Sequence, residues 1–316
     1  MLFGGTEDIF EVGRWTQIAQ EEAKRLMPQG TRTRGAHMYR LGWFSTGRDP
    51  AARELLKVVQ GAIREGVIPA EISFVFSNRE PGEAEESDRF FELVRGYGIP
   101  LVTLSARRFM PELRRKGRRD PEALSRWRIL YDREVMKRLQ GHPADLYVLS
   151  GYMLIVGDEM CRKYDMINLH PAEPGGPKGT WQEVIWELIR RRADRTGVMM
   201  HLVTEQLDEG PPVTYCTFSI RGGAFDPLWE EMGRKLREKP LEQIIREEGE
   251  SEPLFSEIRR QGVKRELPLI VQTLRAFARG EVEIRERRPV SGGRFLERGY
   301  DLTEAVERAV REGRPF

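Results

Sequence analysis

The amino-acid sequence predicts an α/β domain built on a mainly parallel, Rossmann-like sheet flanked by helices, with helical extensions at its N- and C-terminal ends. Two observations predict it. From Tyr39 onward, apolar runs of strand length alternate with segments of helical periodicity. Several of those runs, "LYVLSGYMLIV" above all, are apolar throughout instead of alternating, which implies strands covered on both faces.

Taken in order, residues 1–38 hold one amphipathic stretch, "WTQIAQEEAKRLM", and a polar, Gly-containing segment, together an N-terminal extension. "YRLGWFS" is the first strand, "TGRDP" a turn and "AARELLKVVQGAIREG" the first helix of a β-α-β unit. "EISFVFS", "EESDRFFELVRGYG" and "IPLVTLS" repeat strand, helix, strand. A basic insertion, "RRFMPELRRKGRR", follows; a solvated face is its ordinary reading, and phosphate contact the alternative. The helix "PEALSRWRILYDREVMKRLQGH" leads to the strands "ADLYVLSGY" and "YDMINLH". After the helix "GTWQEVIWELIRRRAD", two strands flank the turn "LDEGPP", closing a domain over residues 39–220. Residues 221–286 predict helices that complete the domain and an edge strand, "EVEIRE"; residues 287–316 predict a tail ending in a helix.

Composition narrows the function. The 316 residues are 39% hydrophobic and 32% charged, enough apolar content to form a core despite the charge. Lys and Arg total 52 against 50 Asp and Glu, a formal charge of +2, so no global field marks a nucleic-acid binder. Cys161 and Cys216 form neither a CxxC pair nor a zinc site alone, so no metal is called for and a reducing cytoplasm is expected. No apolar run is long enough to span a bilayer, and the acidic start argues against a secretion signal. GxGxxG is absent, so a dinucleotide has no support.

Ligands of open parallel sheets gather at the carboxyl ends of the strands. Asn168 and His170 end the strand "YDMINLH", and their spacing puts both side chains on one face. Asp208 lies in the turn after "MMHLVTEQL". An Asn amide and an imidazolium can donate hydrogen bonds to an oxygen that gains charge as an amine attacks a formyl carbon, while a carboxylate favours the imidazolium and relays a proton through water. Singly, each residue is as well explained as a satisfied strand end or a turn former. "GYMLIV", "INLHPA" and "HLVTEQLDEGPPV" in this order change that balance.

On these motifs the chain resembles the folate-dependent formyltransferase family from about Tyr39 to Ile220, with a weaker echo in "RELPLIVQTLRAFARGEVEI". The resemblance implies the formyltransferase fold, 10-formyltetrahydrofolate as co-substrate and a small primary amine as acceptor, with glycinamide ribonucleotide of purine biosynthesis, a phosphorylated amine, as the leading expectation. It implies that Asn168 and His170 hold the formyl oxygen and that Asp208 sets the charge of His170 and relays the proton. Met153, Leu154, Ile155 and Val156, with Thr204, Glu205, Gln206 and Leu207, would line the folate pocket; a buried strand end is the plain alternative for the first four. His201 also matches a family position, with a packing role open beside it. For the amine, the family's Gly-Ser-Asn phosphate turn is replaced by "STGRDPAAR", so Ser45, Thr46, Gly47 and Arg48 would serve instead, and Arg128 matches a phosphate-contacting arginine.

Other acceptors fit the same trio: water, making a deformylase; methionyl-tRNA, which calls for a basic C-terminal barrel where residues 221–280 are helical and of mixed charge; or an amino sugar nucleotide. A folate-binding protein without turnover is the reading from a different class. A homo-oligomer is compatible with everything above, and neither nucleic acid nor membrane is favoured as a partner.

Overall fold

The computed structural model describes residues 38–206 and 208–314; the helix expected within residues 15–27 lies outside them. In chain order the helices are α1 (Pro50–Arg64), α2 (Glu85–Gly96), α3 (Pro111–Lys116), α4 (Pro121–Arg138), α5 (Asp158–Lys163), α6 (Trp181–Arg190), α7 (Phe225–Glu238), α8 (Leu241–Glu248), α9 (Pro253–Ala278) and α10 (Thr303–Glu312). The strands are β1 (Tyr39–Phe44), β2 (Ala70–Ser77), β3 (Leu101–Thr103), β4 (Leu146–Leu149), β5 (Met166–His170), β6 (Arg195–Leu202), β7 (Pro212–Ser219), β8 (Glu283–Arg285), β9 (Arg288–Ser291), β10 (Arg294–Phe295) and β11 (Tyr300–Asp301).

Eight strands form one sheet in the order β11-β7-β6-β5-β4-β1-β2-β3. All neighbours pair in parallel except at β6, which is antiparallel to both β5 and β7. The mainly parallel sheet flanked by helices is therefore as the sequence predicts. Strand order reverses beside β1, where β4 lies on one side and β2 on the other; the ends of β1 and β4 meet at such a switch point, where open sheets bind ligands.

Alternation along the strands builds the two faces. Leu41 and Trp43, Ile167 and Leu169, and Val198, Met200 and Leu202 pack into a core with α1, α2 and the C-terminal half of α9. Phe44, Phe74, Phe76 and Tyr147 face the other way, against Trp127, Tyr131 and Val135 of α4. A third cluster joins Trp181, Ile185 and Trp186 of α6 to α7, α8 and the N-terminal half of α9 around Phe255. The 26-residue α9 thus ties the sheet core to this outlying cluster.

Three expectations are corrected. The apolar run after Asp145 is not one long strand: β4 stops at Leu149, and residues 151–156 form a loop on which Met153 and Ile155 are 45% and 41% exposed. "EVEIRE" does not edge the main sheet. It contains β8 of a separate three-stranded antiparallel sheet, while β7 is flanked by β11 from the stretch read as a tail. That stretch is more than a tail, since Val306 of α10 is fully buried in the sheet core. The basic insertion contains α3, with Lys116 paired to Asp120 at 3.4 Å and Arg114 stacked over Trp127.

Candidate active site

A cavity of about 520 Å³ opens at the carboxyl ends of β4 and β5. Asn168, His170 and Asp208 all line it, as do Met153, Leu154, Ile155, Val156, Thr204, Gln206 and Arg48. Ser45, Thr46, Gly47, Glu205 and Arg128 are not on its wall, and Leu207 lies outside the described residues.

β5 presents Asn168 and His170 on the same face because they alternate with Leu169, which enters the sheet core. His170 is buried and its Nε2–H donates to Pro177 O at 3.1 Å. A carbonyl can only accept, so this bond fixes the proton on Nε2 and leaves Nδ1 as the nitrogen able to gain or release one.

Across the antiparallel ladder Asn168 sits opposite His201 on β6. A register shift in the β6–β7 ladder between Met200 and His201 falls at this point, the kind of irregularity that re-aims a side chain. Nδ1–H of His201 donates to Leu202 O at 3.2 Å, while its Nε2, buried and without a hydrogen-bond partner, faces Asp208 Oδ1 at 3.6 Å. Burial pushes the His201 imidazole down to about 4, with Asp208 opposing that shift and His170 adding to it. The rings of His170 and His201 stand perpendicular, with centroids 6.2 Å apart. Asp208 thus stands beside His201, whereas the family resemblance pairs it with His170.

The turn that carries Asp208 is built tightly. Asp208 adopts φ +55°, a conformation that Asp tolerates better than most residues, and a Cβ on Gly210 would overlap the Leu202 carbonyl. Only a glycine lets Pro211 O approach to accept from Leu202 N at 3.0 Å.

Residues 151–156 are fixed from both ends. Thr46 N donates to Gly151 O at 3.2 Å and Met153 N donates to Thr46 Oγ1 at 3.0 Å. Thr46 thus ties down the loop instead of facing the cavity. At the far end Gly157 N donates to Asp132 Oδ2 at 2.6 Å. Burial raises the Asp132 carboxyl to about 6 against the pull of that bond and of Arg128. Arg128 acts here, on Asp132, away from the cavity wall.

The turn after β1 is closed on itself. Gly47 has φ +60°, and a Cβ there would stand 2.7 Å from the Phe90 ring, so a side chain is excluded twice over. Asp49 caps α1, accepting from Ala52 N at 3.1 Å, and also accepts from Arg48 Nε at 3.2 Å.

Sequence reasoning missed one part of the wall. Arg259 and Glu266, seven residues apart on one face of α9, form a buried pair at 2.8 Å, with Arg259 over the Trp181 ring.

Comparison with known proteins decides the family. A model described as formyl transferase matches residues 53–239. The chain belongs to the formyl transferase family. Phosphoribosylglycinamide formyltransferase of Schizosaccharomyces pombe is 29% identical over 171 residues, 50% of this chain and 73% of that protein. The Bacillus subtilis protein of the same name is 24% identical over 119 residues, 37% of this chain. The match spans 60% of that relative's length, and 53% of the Saccharomyces cerevisiae one. Among solved structures, the Coxiella burnetii phosphoribosylglycinamide formyltransferase superposes with a TM-score of 0.55 at 19% identity, covering 84% of this chain and 99% of that one. A Pseudomonas syringae formyltetrahydrofolate deformylase gives 0.51 at 18% identity, covering 89% and 74%. Both share the fold.

Proposed function

We propose that this protein transfers the formyl group of 10-formyltetrahydrofolate to a primary amine. The observation that carries the reading is the convergence of Asn168, His170 and Asp208 on one cavity that is also rimmed by the exposed apolar side chains of Met153 and Ile155. Large apolar groups exposed around a concave site suit a flat aromatic ring such as the pterin of a folate. The folate supplies an activated formyl group.

The protein's own residues account for the remaining chemistry. The amine nitrogen attacks the formyl carbon and a new C–N bond forms, while charge grows on the formyl oxygen. The Asn168 amide and a protonated His170 Nδ1 donate to that oxygen. Asp208 accepts the proton lost by the amine, directly or through water, with His201 beside it at 3.6 Å. Breakage of the bond to the folate nitrogen, which takes up a proton, completes the exchange. No covalent enzyme intermediate is needed.

Glycinamide ribonucleotide, the acceptor in the relatives' names, is the reference amine. The test is formyl transfer from 10-formyltetrahydrofolate across a panel of primary amines. His170→Ala should lower the rate at least roughly 100-fold with folate affinity retained. Near-normal transfer by this variant removes His170 from the reaction. Formate release at full rate without any amine would make the protein a deformylase, the name carried by the Pseudomonas syringae neighbour.

A further inference from the structure

A phosphate seated at the first turn of a helix needs backbone N–H groups with no other acceptor, and no anion already in place. The turn after β1 commits several of its N–H groups elsewhere and already holds a carboxylate. Ser45 N donates to Phe76 O at 3.0 Å, Thr46 N to Gly151 O at 3.2 Å and Gly47 N to Ser45 Oγ at 3.1 Å. Pro50, at the start of α1, has no N–H to offer. Ala52 N is taken by Asp49 Oδ1 at 3.1 Å. A carboxylate thus occupies the place an anion would take. Arg48, the nearest cation of the turn, is engaged with that carboxylate.

The cavity wall that this turn joins leans to the same sign. Among the described residues it carries the carboxylates of Asp49, Glu183, Asp208 and Glu266 against the guanidinium groups of Arg48 and Arg259. Arg259 is paired with Glu266 in a buried contact, so its charge is already balanced locally. A doubly charged phosphate would meet a net negative surface in a recess where water screens poorly.

We propose that the acceptor of this enzyme is a primary amine without phosphate, neutral or cationic at its distal end, and that Asp49 is the residue that turns phosphate away. The proposal rests on the reading of the cavity as a formyl-transfer site. Specificity here comes from a repulsive group placed against the wrong substrate.

Glycinamide ribonucleotide and glycinamide ribonucleoside differ by the phosphate alone, so they form the probe pair. Each is titrated calorimetrically into the whole chain saturated with tetrahydrofolate. The ribonucleotide should bind no tighter than the ribonucleoside, and detectable binding of neither carries the same meaning. Binding of the ribonucleotide at least about 10-fold tighter overturns the proposal. Asp49→Asn removes the charge and keeps the helix cap, because Asn caps as well as Asp. It should raise ribonucleotide affinity at least about 5-fold and leave the ribonucleoside within about 2-fold. An unchanged ribonucleotide affinity removes Asp49 from this role. Formyl transfer to the amine panel is measured separately; a protein that formylates no amine fails the activity reading, while the phosphate question is still decided by the titrations.

Discussion

Two turns at the same cavity each carry an aspartate, and the fold uses them in opposite ways. Asp49 has extended backbone at φ −150°, and its carboxylate is consumed by the end of α1 and by Arg48. Asp208 sits at φ +55° with its carboxylate standing 3.6 Å from a buried imidazole nitrogen. One side chain completes local structure; the other holds an uncommon backbone conformation and faces a histidine. Backbone strain of that kind points to a functional constraint, whereas a filled cap points to stability.

Substitutions can break or sharpen this contrast. The largest effect is expected at Asp208→Gly. Formyl transfer should fall at least roughly 100-fold, while the melting temperature holds or rises, because glycine adopts a positive φ more readily than aspartate. A variant that loses activity and stability together would make Asp208 a residue spent on local structure.

Asp49→Ala should behave in the reverse sense. Losing the cap should cost about 1 kcal/mol of stability in denaturant titration. A cost near zero would show that Asp49 is not spent on the helix, and would weaken the comparison from its other side.

The smallest effect concerns pH. The buried His201 imidazole is held at about 4, below its ordinary 6.5, so the unfolded chain takes up a proton before the folded one does. Its contribution to stability is therefore complete above about pH 6.5 and is lost as pH falls toward 4. His201→Gln should flatten the stability profile over that window relative to the parent protein. Asp132, raised from 3.8 to about 6, acts with the opposite sign in an overlapping range, so the parent-minus-variant difference is the quantity to read. An identical slope in both proteins would show that His201 is not desolvated.

The motif-bearing strand and turn were legible because local physics positions them. Asn168 and His170 share a face by strand alternation alone, and Asp208 follows from the Leu-Asp-Glu-Gly-Pro-Pro turn. Residues 153–156 do line the cavity, where the family resemblance expects a folate, but the sequence pattern alone reads as strand, since an apolar run does not say whether a sheet or a cavity will cover it. Asp49 is more instructive. Asp followed by Pro is a plain helix-start signature, and it competes with the resemblance, which makes the turn after the first strand a phosphate cradle. Capping chemistry described the outcome better than analogy. Arg259 and Glu266 were out of reach because they approach from α9, about 90 residues beyond β5, a distance no local pattern bridges. The two-residue β11 carried no period at all.

The hairpin between β8 and β9 turns through Glu286 and Arg287, both at positive φ. From that unusual position the Arg287 guanidinium donates to Tyr164 O at 3.0 Å, Asp165 Oδ1 at 2.9 Å and Val203 O at 2.9 Å. Those acceptors lie immediately before β5 and immediately after β6, the two strands that carry Asn168, His170 and His201. One side chain from late in the chain thus works as a brace behind the histidine pair. The architecture of the pocket depends on the carboxy-terminal segment having docked, and a chain that ended at residue 286 would leave Val203, immediately after β6, without this brace.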